Sequence, residues 1–406
     1  MKKKLIENVI SLFTLKGSEY IVQFITLPYL LRVLGPDMYG AIAFAQTIIN
    51  YGVLIVDYGF NLTAPRDIAK SNERGKQFSA IYFAKIILLI GVLFIGTILV
   101  FIIGTENVVL LLCVLPILLG NVFFPVWFFQ GIQKMRFITI FNLISRLVSV
   151  VCIFTLVKDV DDYYLAVLFQ SIVPVMAGFL SLFVLYNKFP EVLVKPRFED
   201  IKEKLVEGWE VFISTLFINL YTNSNVFLLG MLTNNTVVGC YVAANKLIEA
   251  VKGLMAPVSN AIFPHVSVMF KESKEKAIIF LCKMLHIIMG TTLVTSTVVL
   301  IFAEQLVTII MGDSYSESII ILRILSFLPF IIGLSNIFGI QTMVAFGMQR
   351  IFSRILMASA LLNFILVCPM IYMWQGIGLA ITVLIVESFV TVTMYIVLRK
   401  NNIILQ

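Results

Sequence analysis

The stretch QFSAIYFAKIILLIGVLFIGTILVFII, residues 77–103, decides the fold class of this chain. One charge, Lys85, interrupts it, and it lacks the alternating segments of about ten residues that a lipid-facing barrel strand would show. A continuous apolar run longer than about 18 residues reads as a helix that crosses a bilayer. The physical reason is that a segment in lipid has to satisfy its own backbone N–H and C=O groups. Runs of this kind recur from end to end. Of 406 residues, 60% are hydrophobic and 13% charged, against about a quarter charged in an ordinary soluble domain. With a mean hydropathy of +1.00, the chain has too little polar surface to cover a water-soluble globule of its size.

Cutting at polar and Gly/Pro clusters predicts an all-α membrane protein of twelve transmembrane helices. They run over about 6–34, 39–62, 77–103, 107–130, 137–157, 163–187, 207–233, 236–263, 277–303, 316–346, 350–373 and 376–398. The longest connection covers about 188–206, so the cuts leave no room for a soluble domain. The opening MKKKLIENVISLFTLKGSEY looks like a signal peptide, but Lys16 and Glu19 break its apolar core and no small-x-small site follows. It is expected to be an uncleaved first span.

Charge placement orients the helices. Most of the 30 Lys and Arg residues fall at the N-terminus or in the even-numbered loops, among them Arg66, Lys70, Arg74, Lys76, Lys134, Arg136, Lys188 and Lys195. The odd-numbered loops hold Arg32 and Lys158. The positive-inside rule then puts both termini in the cytoplasm with an even number of spans. The formal net charge of +7 is thereby a property of topology, and no nucleic-acid partner is needed to account for it. The 5 cysteines sit singly in apolar runs, which fits small buried hydrophobes better than a disulfide or metal site.

The halves of the chain echo each other. LGPDMYGAIAFA (Leu34–Ala45) resembles LTNNTVVGCYVAA (Leu232–Ala244), aligning Gly40 with Gly239 and, at the same offset, Pro65 with Pro264. Gly131-Ile132-Gln133-Lys134 likewise echoes Gly347-Met348-Gln349-Arg350. The expected domains are an N-terminal six-helix bundle (1–190), a cytoplasmic linker (191–206) and a C-terminal six-helix bundle (207–406). An even number of spans per half makes the repeat parallel, as in transporters whose substrate site lies between repeats near the midplane.

Two stretches carry a family resemblance. FITLPYLLRVLGPDMYGAIAFAQ (Phe24–Gln46) is similar to the opening signature of the Wzx-type polysaccharide flippases, and FPVWFFQGIQKMRFITI (Phe124–Ile140) resembles the segment those proteins carry after their fourth span. The resemblance runs over essentially the whole chain. It implies membership of a superfamily that also holds multidrug exporters and the lipid II flippase, with a MATE-like fold of two six-helix bundles around a central cavity. It further implies alternating-access translocation of undecaprenyl-diphosphate-linked oligosaccharide repeat units, of O-antigen or a related polysaccharide, across a bacterial inner membrane. Membrane lipids, the polysaccharide polymerase and the chain-length regulator would be its partners, with no cofactor.

The residues themselves point to transport through charges placed near mid-span, where insertion costs at least about 2.5–3.5 kcal/mol each. Lys16 and Glu19 lie in span 1, Asp57 in span 2, Arg146 in span 5, and Glu387 in span 12. Lys246, Glu249 and Lys252 recur at i, i+3 and i+6 in span 8, on one helix face. They are expected either to pair with one another or to line a hydrated cavity. In the second reading Lys16, Arg146, Lys246 and Lys252 attract a diphosphate or acidic sugars, and Glu19, Asp57, Glu249 or Glu387 carries a coupling ion. Asn219, Asn223 and Asn225 in span 7 could line the same cavity or glue helices. Lys85, Lys283 and Arg323 are expected to snorkel toward the water. His286 is expected to be a buried neutral histidine, and His265 ends span 8. A drug exporter would suit the fold equally well. A polymerase or acyltransferase suits it less, since the expected segments leave no sizeable loop for glycan chemistry. No HEXXH, GXSXG, P-loop or metal-ligand motif gives an enzyme its site.

Overall fold

The computed structural model describes residues 2–71, 73–103, 108–192, 194–401 and 403, and among them no strand occurs. Helices cover each of the twelve expected segments. The chain divides into two compact units, Met1–Leu34 with Ala41–Asn223, and Gly35–Gly40 with Ser224–Gln406. The helices run in order α1 (Lys2–Asp57), α2 (Phe60–Lys70), α3 (Arg74–Ile103), α4 (Val108–Val114), α5 (Pro116–Phe123), α6 (Val126–Gly131), α7 (Arg136–Leu156), α8 (Tyr163–Ser171), α9 (Val173–Lys188) and α10 (Phe198–Leu232). They continue as α11 (Asn235–Glu272), α12 (Lys274–Ile301), α13 (Ala303–Ile310), α14 (Ser316–Leu325), α15 (Leu328–Asn336) and α16 (Gln349–Lys400), with a π-helical stretch at Ile337–Val344.

Eight candidate spans among the described residues are long and apolar enough to cross a membrane. Two of them, Ile21–Lys70 with 50 residues and Gln349–Lys400 with 52, each exceed twice the roughly 20 residues that one crossing needs. The backbone breaks inside both. Gly35 stands at φ 69, ψ 173 between the first and second expected spans, a conformation that a residue without Cβ adopts at little cost. Trp374 and Gln375 (φ 49, ψ −127) break α16 between the last two. α10 and α11 fall outside the eight, and α11 carries Lys246, Glu249 and Lys252 close together.

Several boundaries differ from the sequence reading, among them the end of α11 at Glu272 rather than near 263. α10 starts at Phe198 rather than near 207, because Glu199 and Asp200 occupy its first turn, where carboxylates suit the helix dipole. The Arg197 N–H also donates to Asp200 Oδ2 at 3.4 Å. The span of loop expected after residue 303 contains α13, whose Ala303 and Val307 are buried while Glu304 is exposed.

The core of the first unit gathers around the stretch that carries the second family signature. Trp127, Phe128 and Phe129 are fully buried, with the Phe78 ring 5.3 Å from Trp127 and 5.2 Å edge-on to Phe128. Phe129 meets Phe141 edge-on at 5.9 Å. Lipid tails are as apolar as these rings, so close packing rather than escape from water holds them. Each such aromatic pair contributes about 0.5–1.5 kcal/mol beyond its area.

Within the second unit the repeat signatures meet. A Cβ built on Gly40 would fall 1.8 Å from the Asn235 carbonyl oxygen, and one on Gly239 would fall 1.9 Å from that of Pro36. The Thr236 hydroxyl donates to Asp37 Oδ1 at 3.2 Å beside them. The contact is reciprocal, and each glycine lets the other backbone in, the small-residue packing that membrane helices favour.

Candidate functional site

Four of the expected central charges, together with Asp57, form ion pairs within their own unit. In the first unit Arg146 on α7 reaches back to α1, its guanidinium 3.1 Å from Glu19 Oε1. The Arg146 Nε is buried without a hydrogen-bond partner among the described residues, so this cation has donor capacity to spare. The side chain of Lys16 lies outside the described residues.

Asp57, near the end of α1, has a partner that the sequence reading placed elsewhere. Lys85 does not snorkel; it is 1% exposed, with its ammonium 3.2 Å from Asp57 Oδ1 and 3.2 Å from the Asn121 carbonyl oxygen on α5. Snorkelling needs a polar exit for the head group, and here the countercharge and the carbonyl bind it inside the unit.

In the second unit Lys246 and Glu249 pair along α11 at 3.3 Å, and Asn245 donates to the same carboxylate at 3.0 Å. Lys252, two turns from Lys246, makes no hydrogen bond or ion pair among the described residues. Glu387 of α16 is the carboxylate with which it interacts electrostatically. Asn225 accepts from the buried Asn363 at 3.0 Å, joining α10 to α16. Asn219 donates to the Thr215 carbonyl of its own helix at 2.9 Å, and the Asn223 side chain lies outside the described residues. His286 is exposed rather than buried, its Nδ1 satisfied 2.7 Å from the Cys282 carbonyl. Lys283 is exposed, and Arg323 pairs with Glu304 at 3.6 Å.

Sequence reasoning found the acidic and basic members but missed Lys85, Asn121, Asn245 and Asn363. A polar residue inside an apolar span was the available signal for each. Among the described residues no group of three or more His, Cys, Asp or Glu could hold a metal ion. Paired charges and amides along membrane helices can bind a polar, anionic cargo or exchange ions, and they do not form a nucleophile–base constellation.

A multi-pass, all-helical membrane protein with charges inside its spans is a transporter-like architecture, and solved structures share it. The chain superposes on the lipid II flippase MurJ in its inward closed conformation with a TM-score of 0.74 at 12% identity, covering 97% of this chain and 87% of that one. It superposes on an inward-facing multidrug resistance MATE family transporter of the MOP superfamily with a TM-score of 0.71 at 13% identity, covering 94% of each. At such identities these likenesses show the fold alone. By sequence, residues 5–270 match the family model described as polysaccharide biosynthesis protein, and the chain belongs to that family. It is 35% identical to a protein of Escherichia coli (strain K12) over 99% of both chains. It is 30% identical to one of Shigella dysenteriae over 96% of this chain and 98% of the relative. Both relatives bear the name "Putative O-antigen transporter".

Proposed function

We propose that this protein is a flippase that carries undecaprenyl-diphosphate-linked oligosaccharide repeat units, of O-antigen or a related polysaccharide, from the cytoplasmic to the periplasmic leaflet of a bacterial inner membrane. Residues 1–190 and 207–406 are its two repeat halves, joined by a linker at 191–206, with both termini cytoplasmic. Near full-length kinship with two relatives named for O-antigen transport supports the cargo class. The site observation that carries the reading is Lys252, a mid-helix cation without an ion-pair partner among the described residues. An ammonium whose countercharge is only the non-contacting Glu387 carboxylate is costly at such a position, and the diphosphate or an acidic sugar of the cargo supplies a contacting anion. Arg146, with its spare Nε donor, acts in the same way, as do Lys246 and Lys16. Glu387, Glu249, Glu19 and Asp57 are the carboxylates that can exchange a coupling ion. The polymerase and chain-length regulator act on the cargo after it has crossed.

The test is complementation of a strain lacking the gene. Lys252→Arg is expected to keep transport, since a phosphate accepts either cation. Lys252→Gln, inserted at normal abundance, is expected to lose about tenfold or more, the loss that removing one charge-assisted contact implies, while the lipid-linked intermediate accumulates on the cytoplasmic leaflet. Equal transport by Lys252→Gln and the unaltered protein would remove Lys252 from the site.

A further inference from the structure

The family signature at Gly131–Lys134 does not contribute to the central charges, yet it forms one wall of a cleft of about 980 Å³ in the first unit. The other walls are the turn from α2 into α3, with Arg74 and Lys76, and the segment after α9, with Phe189 and Glu191. Each wall lies at the end of a candidate span. The cleft therefore opens at the depth where a membrane meets water.

Its walls are held together by backbone. A Cβ on Gly75 would fall 2.5 Å from the Glu191 carbonyl oxygen, and one on Gly131 would fall 2.7 Å from Ile68 Cβ. Ser79 Oγ donates to the Val192 carbonyl at 3.2 Å and accepts from the Val194 N–H at 3.3 Å, fastening the segment after α9 onto α3. The turn Ile132–Lys134 carries a left-handed residue, Gln133 at φ 58, which costs a non-glycine residue free energy.

The cations here are positioned without being neutralised. Lys134 lies over the Phe189 ring at 4.5 Å, and Arg136 and Lys188 lie over Phe137 at 5.3 and 5.5 Å. Neither they nor Arg74 forms an ion pair among the described residues. A ring face orients an ammonium yet leaves its full charge available, whereas a carboxylate cancels it. Lys76 is the contrasting case, bound to Asp200 at 3.0 Å, and that hydrogen bond holds the Asp200 carboxyl below the ordinary carboxylate range. Two carboxylates, Glu73 and Glu191, line the cleft together with three cations, Arg74, Lys76 and Lys134, while Arg136 and Lys188 stand over Phe137 outside its lining. Phe128, Ile132, Val192 and Val194 give the lining an apolar part.

The geometry points to a binding site for a phosphate ester attached to an apolar body, with Arg74 and Lys134 as its principal contacts. The headgroup of an acidic glycerophospholipid has this chemistry, and a soluble phosphate ester has its polar half. The site is separate from the mid-span charges and does not depend on what those charges carry.

The experiment uses the purified full chain in detergent with three probes: a short-chain phosphatidylglycerol, the corresponding phosphatidylcholine, and glycerol 3-phosphate. Arg74→Gln with Lys134→Gln is compared with Lys274→Gln with Lys276→Gln, a pair of exposed lysines in the first turn of α12; both pairs are surface changes, and monodisperse elution checks folding. The unaltered protein is expected to prefer phosphatidylglycerol to phosphatidylcholine, the cleft pair to lose about tenfold or more in that affinity, and the control pair to keep it. Weak binding of glycerol 3-phosphate assigns the site to lipid; equally tight binding, lost in the cleft pair alone, assigns it to a soluble phosphate ester. Equal retention by both variant pairs, equal loss in both, or no preference between the two lipids in the unaltered protein overturns the proposal.

Discussion

Alanine in place of Gly239, or of Gly40, is expected to strip most of the protein from the membrane. Ordinary overpacking of a core costs about 1–3 kcal/mol because side chains can shift. Here the new methyl groups would stand 1.9 Å from the Pro36 carbonyl oxygen and 1.8 Å from that of Asn235, and both obstacles are helix backbone. Relief requires the segment 35–40 and the start of α11 to part, which also breaks the Thr236–Asp37 hydrogen bond. The loss should exceed the ordinary range. Gly91 and Gly96 on α3 are the controls, since a Cβ there meets nothing within 4 Å. Alanine at either should leave abundance unchanged or raise it, as the better helix former by about 1 kcal/mol. Abundance of a fluorescent fusion and the midpoint of thermal unfolding in detergent read both outcomes. A Gly239→Ala protein as abundant and stable as Gly91→Ala would show that the helices do not approach this closely.

Lys85→Met is expected to be nearly as damaging, for an electrostatic reason. It leaves the partly buried Asp57 carboxylate without its countercharge, and breaking a buried pair from one side costs about 3–5 kcal/mol. Asp57→Leu strands the ammonium, with only the Asn121 carbonyl left to bind it. Making both changes together removes both charges, and a buried pair replaced by apolar residues of similar volume is often neutral or stabilising. The double variant should therefore recover abundance that each single variant loses, with a coupling term of opposite sign to the single effects. Additive losses in the double variant would place the two side chains out of contact. If Asp57 carries the coupling ion, the recovered double variant should also transport without responding to a pH gradient.

The helices were legible because lipid imposes one rule on every span, and long apolar runs such as 77–103 obey it. The Gly40–Gly239 contact also left a trace in the sequence: each of the two echoing stretches carries a glycine, and the close approach requires one on both sides. Partners across the fold were not legible. Asp57 and Lys85, or Glu19 and Arg146, meet through the rotation and depth of separate helices, which hydropathy does not encode. Lys85 reads as a snorkelling residue because it lies toward the end of its span, and only the carboxylate on another helix shows why it turns inward. The exposure of His286 and the π-helical turn at Ile337–Val344 are likewise set by packing and by side-chain bonds such as Gln341 to the Ser259 carbonyl at 2.9 Å. The early start of α10 has a sequence signal in Glu199 and Asp200, carboxylates that suit a helix N-terminus, although it lies outside the apolar run.

Translocation itself is measured by reconstitution. Purified protein goes into vesicles containing an undecaprenyl-diphosphate-linked oligosaccharide labelled on its sugar, and a membrane-impermeant glycosidase reports which leaflet holds the label. The inner-leaflet pool is expected to become accessible with the protein present, without ATP, and Lys252→Gln reconstituted at equal density is expected to slow this about tenfold or more. Accessibility that matches protein-free vesicles, in vesicles where the protein is inserted and folded, would contradict translocation.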